Sequence, residues 1–175
     1  ETEEHRRELL RYLEDFPSVL ARRPGGSPGS FCNRAPGDAL LQYYSAATQR
    51  QEIRADLALT IPAGVPLGDV EWCTVLGNLL ENALEACQRQ SRGERRLSLT
   101  SRATEGTLFL LVENTYDGRF DRSEGHILSR KEGGVRCGIG LSSVRETVER
   151  HGGTMDLYPG EDVFQVGITL PIHNR

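Results

Sequence analysis

Asn78-Leu79-Leu80-Glu81-Asn82-Ala83-Leu84-Glu85-Ala86 sits inside a longer run, Asp69 to Arg89, whose apolar residues recur at helical spacing. On a helix turning about 100° per residue, with Asn78 at zero, Asn82 falls near about +40°, Glu85 near about −20° and Glu81 near about −60°. These four share one narrow arc, and apolar side chains between Trp72 and Cys87 fill the other side. Asparagine costs about 0.5 kcal/mol or more against alanine in a helix interior. A face meant only for water would carry Lys, Arg or Glu instead. Two asparagines one turn apart therefore point to polar groups held for a ligand. A solvated polar face is the alternative that this pattern alone leaves open.

Downstream, residues 95–103 and 107–113 read as two strands of a hairpin across Thr104-Glu105-Gly106. The second carries the apolar run Leu108 to Val112 and ends at Asn114, a carboxamide that can point into a cleft or simply start a turn, with Gly118 following. Residues 115–137 are polar and glycine-rich with no convincing period, and a loop this long inside a compact domain is usually functional or mobile. Gly138-Ile139-Gly140-Leu141 then opens a helix, Ile139 to Arg150, closed by Gly152-Gly153. Glycines let the backbone approach a ligand, and the helix N-terminus offers unpaired N–H groups suited to phosphate. Arg130 and Lys131 lie a few residues upstream, within reach of the same phosphates. Residues 154–158 and 163–171 form a last hairpin across Pro159-Gly160.

Upstream, residues 37–51 read as a helix with Asp38 as N-cap, 53–61 as a strand, and Asp69 as the cap of the central helix. Leu9, Leu10, Leu13, Phe16 and Leu20 recur at helical spacing before a Pro/Gly/Ser-rich linker, residues 22–30. The expected organisation is a helical end plus tether over 1–30 and one domain over 31–175. The element order implies a two-layer α/β sandwich, with a mixed, mostly antiparallel sheet and helices on one face.

The chain of 175 residues is 37% hydrophobic and 26% charged, which suits a packed core. A net charge of −4 argues against a surface built for nucleic acid. No apolar run approaches the roughly 18 residues of a membrane helix, so this piece is not expected to insert in a membrane. The chain opens at Glu1 in a charged stretch and reads as part of a longer protein. Cysteines 32, 73, 87 and 137 form no CxxC pair and read as reduced, mostly buried thiols. All but one of the 21 basic residues are Arg, and the exception is Lys131.

The motifs in this order resemble the GHKL ATP-binding fold shared by gyrase, the ninety-kilodalton heat-shock chaperones, sensor histidine kinases and mismatch-repair ATPases. Residues 78–86 look like its N-box and Gly138 to Leu141 like its second glycine box, and the match spans about residues 35 to 172. The resemblance implies the Bergerat, or histidine-kinase ATPase, fold, with ATP and Mg²⁺ as ligands. It implies that Asn82 ligates the metal and that Asn78 faces the phosphates. Gly118, Arg130, Lys131, Gly138, Ile139, Gly140 and Leu141 would line the nucleotide. Asn114 stands where most members have an Asp that binds the adenine amino group, and it keeps an acceptor oxygen without the charge. Tyr116 replaces the first glycine of the first glycine box, a departure that bears on nucleotide affinity and not on fold.

Position 78 separates members of the family. The hydrolysing ones carry a Glu there to activate water, and Asn78 cannot act as a base. Glu81 and Glu85 lie nearby without holding that position; Glu81, with Asn78 and Lys131, is retained as a candidate catalytic group. The chain thus looks like the catalytic domain of a bacterial sensor histidine kinase, of the quorum-sensing, short-GHKL branch. The resemblance implies transfer of the γ-phosphate to a histidine of the protein's own dimerising region, with a response regulator as an indirect partner. It also implies a cytoplasmic domain of a membrane-anchored, homodimeric sensor. The acceptor is expected upstream of Glu1 rather than at His5, so this chain alone should bind nucleotide without autophosphorylating. The alternatives are a degenerate nucleotide-sensing or protein-interaction module and, less favoured, an anti-sigma-factor serine kinase.

Overall fold

The computed structural model describes residues 30–118, 121–123, 126–129, 136–137 and 139–173. The segment 1–29, Arg130, Lys131 and Gly138 lie outside the described residues. In chain order the elements are α1 (Ala35–Arg50), β1 (Arg54–Leu57), α2 (Asp69–Arg89), β2 (Arg96–Thr104) and β3 (Thr107–Thr115), followed by β4 (Asp121–Ser123), β5 (His126–Ser129) and β6 (Arg136–Cys137), then α3 (Ile139–Arg150), β7 (Thr154–Pro159) and β8 (Val163–Pro171).

The main sheet has the order β1-β2-β3-β8-β7. β1 and β2 are parallel, and the other neighbours are antiparallel. Strand alternation sends Leu97 and Leu99 of β2, Leu108, Leu110 and Val112 of β3, and Val166, Ile168 and Leu170 of β8 into one core. The apolar side of α2 meets them with Trp72, Leu76, Leu79, Leu80 and Leu84, and α3 adds Leu141, Val144 and Val148. Each such fully buried side chain contributes about 1.5–3 kcal/mol against exposure. Leu111 is buried yet outside this cluster, as expected for a strand residue pointing to the opposite face. The two-layer mixed sheet with helices on one face is the architecture read from the sequence.

Four local expectations change. The first helix begins at Ala35, with Pro36 in its first turn, so Asp38 is not its cap. Asp38 instead gathers the preceding chain, accepting hydrogen bonds from the Phe31 N–H (2.6 Å), the Cys32 N–H (3.0 Å), the Ser30 hydroxyl (3.1 Å) and Gln42 Nε2 (2.7 Å). Burial alone would raise its pKa; these donors outweigh burial and hold it below the usual carboxylate value. The strand expected over 53–61 stops at Leu57, because Leu59 turns to Cys32, its N–H donating to the Phe31 carbonyl at 2.8 Å. Gly68, not Asp69, is the N-cap of α2. Residues 115–137 hold three short antiparallel strands, β4-β5-β6, too brief to show a period in the sequence.

Candidate nucleotide site

The arc drawn from helical spacing is real. Asn78 and Asn82 are half-buried on the side of α2 away from the core. Neither carboxamide has a hydrogen-bond partner among the described residues. Polar groups held on a helix without partners, yet not sealed from water, are what a ligand site needs.

α3 brings the second piece to the first. A Cβ on Gly140 would stand 3.2 Å from Asn78 Oδ1 and 3.6 Å from Asn78 Cβ. Glycine is what lets the N-terminal turn of α3 come this close to the asparagine. The first-turn N–H groups of α3 have no acceptor within the helix, which leaves them for an anion. Ile139 is 68% exposed, whereas the Leu141 side chain is buried in the core. Leu141 can therefore serve a ligand only through its backbone.

Glu81 is turned toward α1. Its Oε2 accepts from the Tyr44 hydroxyl at 3.0 Å, and the same hydroxyl lies 3.2 Å from the Gly77 carbonyl. Burial, then the Glu81 carboxylate, raises the Tyr44 pKa. Tyr44 thus stays a neutral donor, fixing Glu81 beside the two asparagines.

Asn114 ends β3 on its inward face, 4% exposed and in register with Phe164 of β8. Its Nδ2 donates to the Thr115 carbonyl at 3.1 Å. That carbonyl can only accept, so the amide nitrogen must face it and Oδ1 must point the other way. Oδ1 has no partner among the described residues and is not one of the fully enclosed unpaired atoms, which are Thr60 Oγ1, Trp72 Nε1 and Gln90 Oε1. The carboxamide thus offers Oδ1 as an acceptor, while Nδ2 has one of its two N–H groups engaged by Thr115. Thr115 is itself held, its Oγ1 accepting from the Arg96 N–H at 2.9 Å while the Cys87 thiol lies 3.5 Å from its carbonyl. Burial raises the Cys87 pKa, so the thiol stays protonated as a donor.

Beyond Asn114 the chain is tied to the β7–β8 turn. The Tyr116 hydroxyl donates to the Gly160 carbonyl, its N–H donates to the Asp162 carbonyl at 3.1 Å, and its ring meets Phe164 edge-on at 5.9 Å. Gly118 has φ +73°, and a Cβ there would lie 2.9 Å from the Glu161 carbonyl oxygen. Sequence reasoning had no signal for this staple, and Tyr116 looked only like a lost glycine. Nor could it see Glu71 of α2 reaching His151 at the end of α3, since 80 residues separate them.

The profile of the GHKL domain matches residues 67–171. Sensor protein TdiS of Thauera aromatica is 30% identical over 173 residues, which is 94% of this chain and 30% of that protein. The chain thus spans about a third of the curated relative it matches. The mycobacterial sensor histidine kinase MprB superposes with TM-score 0.55 at 19% identity, covering 80% of this chain and 95% of that one. The blue-light activated histidine kinase EL346 of Erythrobacter litoralis gives TM-score 0.52 at 21% identity, covering 94% and 76%. These two likenesses show the shared fold.

Proposed function

The chain belongs to the GHKL domain family, and from that premise we propose that it binds Mg-ATP and, within a longer sensor histidine kinase, donates the γ-phosphoryl group to a histidine of the dimerising region. The observation that carries this reading is the pair of carboxamides, Asn78 and Asn82, without partners among the described residues, with Gly140 seated against the first. A carboxamide oxygen suits Mg²⁺, which takes few protein ligands and completes its shell with water and phosphate oxygens. Asn82 would hold the ion, Asn78 would face the phosphates, and the N-terminal turn of α3, with Gly138 preceding it in the sequence, would receive their charge. Bound Mg²⁺ would supply neutralisation of the charge that builds up between the β- and γ-phosphates.

In the transfer, the bond between the γ-phosphorus and the bridging oxygen breaks as phosphorus bonds to an imidazole nitrogen, and ADP leaves. Residues on this chain bind and position; none at position 78 can take a proton from water. Arg130 and Lys131 would steady the γ-phosphate from the adjoining segment, the compact ammonium of Lys131 releasing it readily. Glu81, fixed by Tyr44, would set the local charge beside the metal site. The partners follow from the same reading: the protein's own phosphoacceptor helices, reached through residues 1–30, and indirectly a response regulator. It places the domain in the cytoplasm. Among the described residues no helix is long and apolar enough to cross a membrane.

Asn114 would accept a hydrogen bond from the adenine 6-amino group through the oxygen that Thr115 leaves free. With Oδ1 turned toward the base, a 6-oxo purine would set its oxygen against another acceptor and would bind less well. Calorimetric titration with Mg²⁺ is expected to give micromolar-to-millimolar binding of ATP and about tenfold weaker binding of inosine triphosphate. Absence of binding at millimolar ATP would overturn the reading in favour of an interaction module. In the full-length kinase, Lys131→Arg is expected to keep most ATP binding yet slow phosphotransfer.

A further inference from the structure

Helices α2 and α3 also meet away from the candidate site. There, Glu71 in the first turn of α2 uses both carboxylate oxygens. Oε2 accepts from the Gly68 N–H at 3.1 Å, capping α2. Oε1 lies 2.8 Å from His151 Nε2 and 3.5 Å from the Arg150 guanidinium, both at the C-terminal end of α3.

That end of α3 is also fixed to the sheet. The Gly153 N–H closes the helix onto the Val148 carbonyl at 2.9 Å. A Cβ on Gly153 would lie 2.2 Å from the Thr169 carbonyl oxygen of β8, so the chain runs hard against that strand. Met155 of β7 accepts from Arg145 through its carbonyl at 2.8 Å. The C-terminal end of α3 is thus a pivot held by α2, β7 and β8, while its N-terminal end carries Gly140 against Asn78.

We propose that Glu71 and His151 are positioning residues for the nucleotide site: their contact sets the angle of α3 on α2 and so keeps Gly140 and the first-turn N–H groups in place beside Asn78. This rests on the function proposed above. A rigid helix transmits a change at its pivot to its far end, so loosening one contact misplaces the other. A charged imidazolium binds a carboxylate more strongly than a neutral ring, so the contact strengthens as His151 takes a proton. The charged groups that face His151 are Glu71 across the interface and Arg150 on its own helix; among the described residues β7 and β8 form no ion pair with it. Hydrogen bonding by His151, then by Gly68, holds Glu71 below its ordinary 4.5. A carboxylate with a lowered pKa contributes above its unfolded value and is lost as pH falls through the folded one. The contact therefore fails in acid, when Glu71 itself protonates.

The experiment measures Mg-ATP affinity of the wild-type chain and of His151→Gln and Glu71→Gln at pH 8 and pH 6, with circular dichroism to establish folding. The ratio of variant to wild-type Kd cancels the ionisation of the nucleotide. It is expected to be about threefold at pH 8 and about tenfold at pH 6. A ratio that does not change with pH would overturn the proposal. Hydrogen exchange of the ligand-free proteins gives a second readout, independent of nucleotide. Amides of residues 143–146, which bond back to the carbonyls of the first turn, are expected to exchange faster in both variants, by a larger factor at pH 6. If ATP binds none of the proteins, the proposed function fails, and unchanged exchange at 143–146 would sink the positioning role by itself.

Discussion

The two ends of the candidate site are built in opposite ways. Around Asn114 nearly every group is already engaged: the amide with Thr115, the Tyr116 hydroxyl with Gly160, Gly118 against Glu161. The Asn78 and Asn82 carboxamides themselves have no partners among the described residues. The first end behaves as a finished socket whose one free acceptor is aimed in advance. The second is an open shelf completed by what binds to it. Pre-organisation lowers the entropy cost of binding the base, whereas charge on phosphate and metal must be met by groups that do not already satisfy one another. The contrast teaches that, on the proposed function, selectivity would reside at one end and transfer at the other.

Mutations at the open end should remove binding without harming the fold. Asn82→Ala should have the largest effect, lowering Mg-ATP affinity about 100-fold and abolishing its Mg²⁺ dependence, as read by calorimetry with and without the ion. Gly140→Val comes next. The Asn78 carboxamide is the flexible end of a side chain and can swing aside, so the melting temperature should hold while affinity falls about tenfold. A melting temperature that collapses instead would erase the distinction between the two ends.

Mutations at the closed end should do the reverse. Gly118→Ala forces a side chain into a positive-φ position facing a carbonyl and should cost about 1–3 kcal/mol of stability, measured by urea unfolding. The smallest effect is expected from Tyr116→Phe, about 1 kcal/mol or less, because Gly160 is an exposed turn residue where water can replace the hydroxyl. Nucleotide affinity in that variant should change less than twofold at equal occupancy of the folded state. A larger loss in affinity than in stability would move Tyr116 into the binding machinery.

The long, strongly periodic elements were legible. α2 and α3 occupy the residues that helical spacing marks, because their apolar stripes repeat over several turns. The juxtaposition of Asn78 with Gly140 followed from the order of motifs and not from spacing, since nothing local joins residues so far apart. What escaped has a common cause. Asp38, Glu71 and Tyr116 each act on chain far from their own element or outside it, and a polar side chain gives no periodic trace of its partner. Asp38 looked like a cap because capping and loop-gathering use the same carboxylate. Tyr116 looked like a missing glycine because only the β7–β8 turn reveals what its hydroxyl holds.

The sheet order has a consequence for how the protein comes into being. β3 lies between β2, its hairpin partner, and β8, the last strand among the described residues, with Thr107 paired to Pro171 and Thr115 to Val163. The whole of α3 is looped out between those two central strands. Closing that loop is a non-local event, slower than forming the β2–β3 hairpin. Gly140 can be pressed onto Asn78 only once β8 has docked and given α3 a floor. During synthesis, nucleotide binding should therefore switch on late, when the segment through Pro171 has emerged, so that a truncated product would be unable to capture ATP.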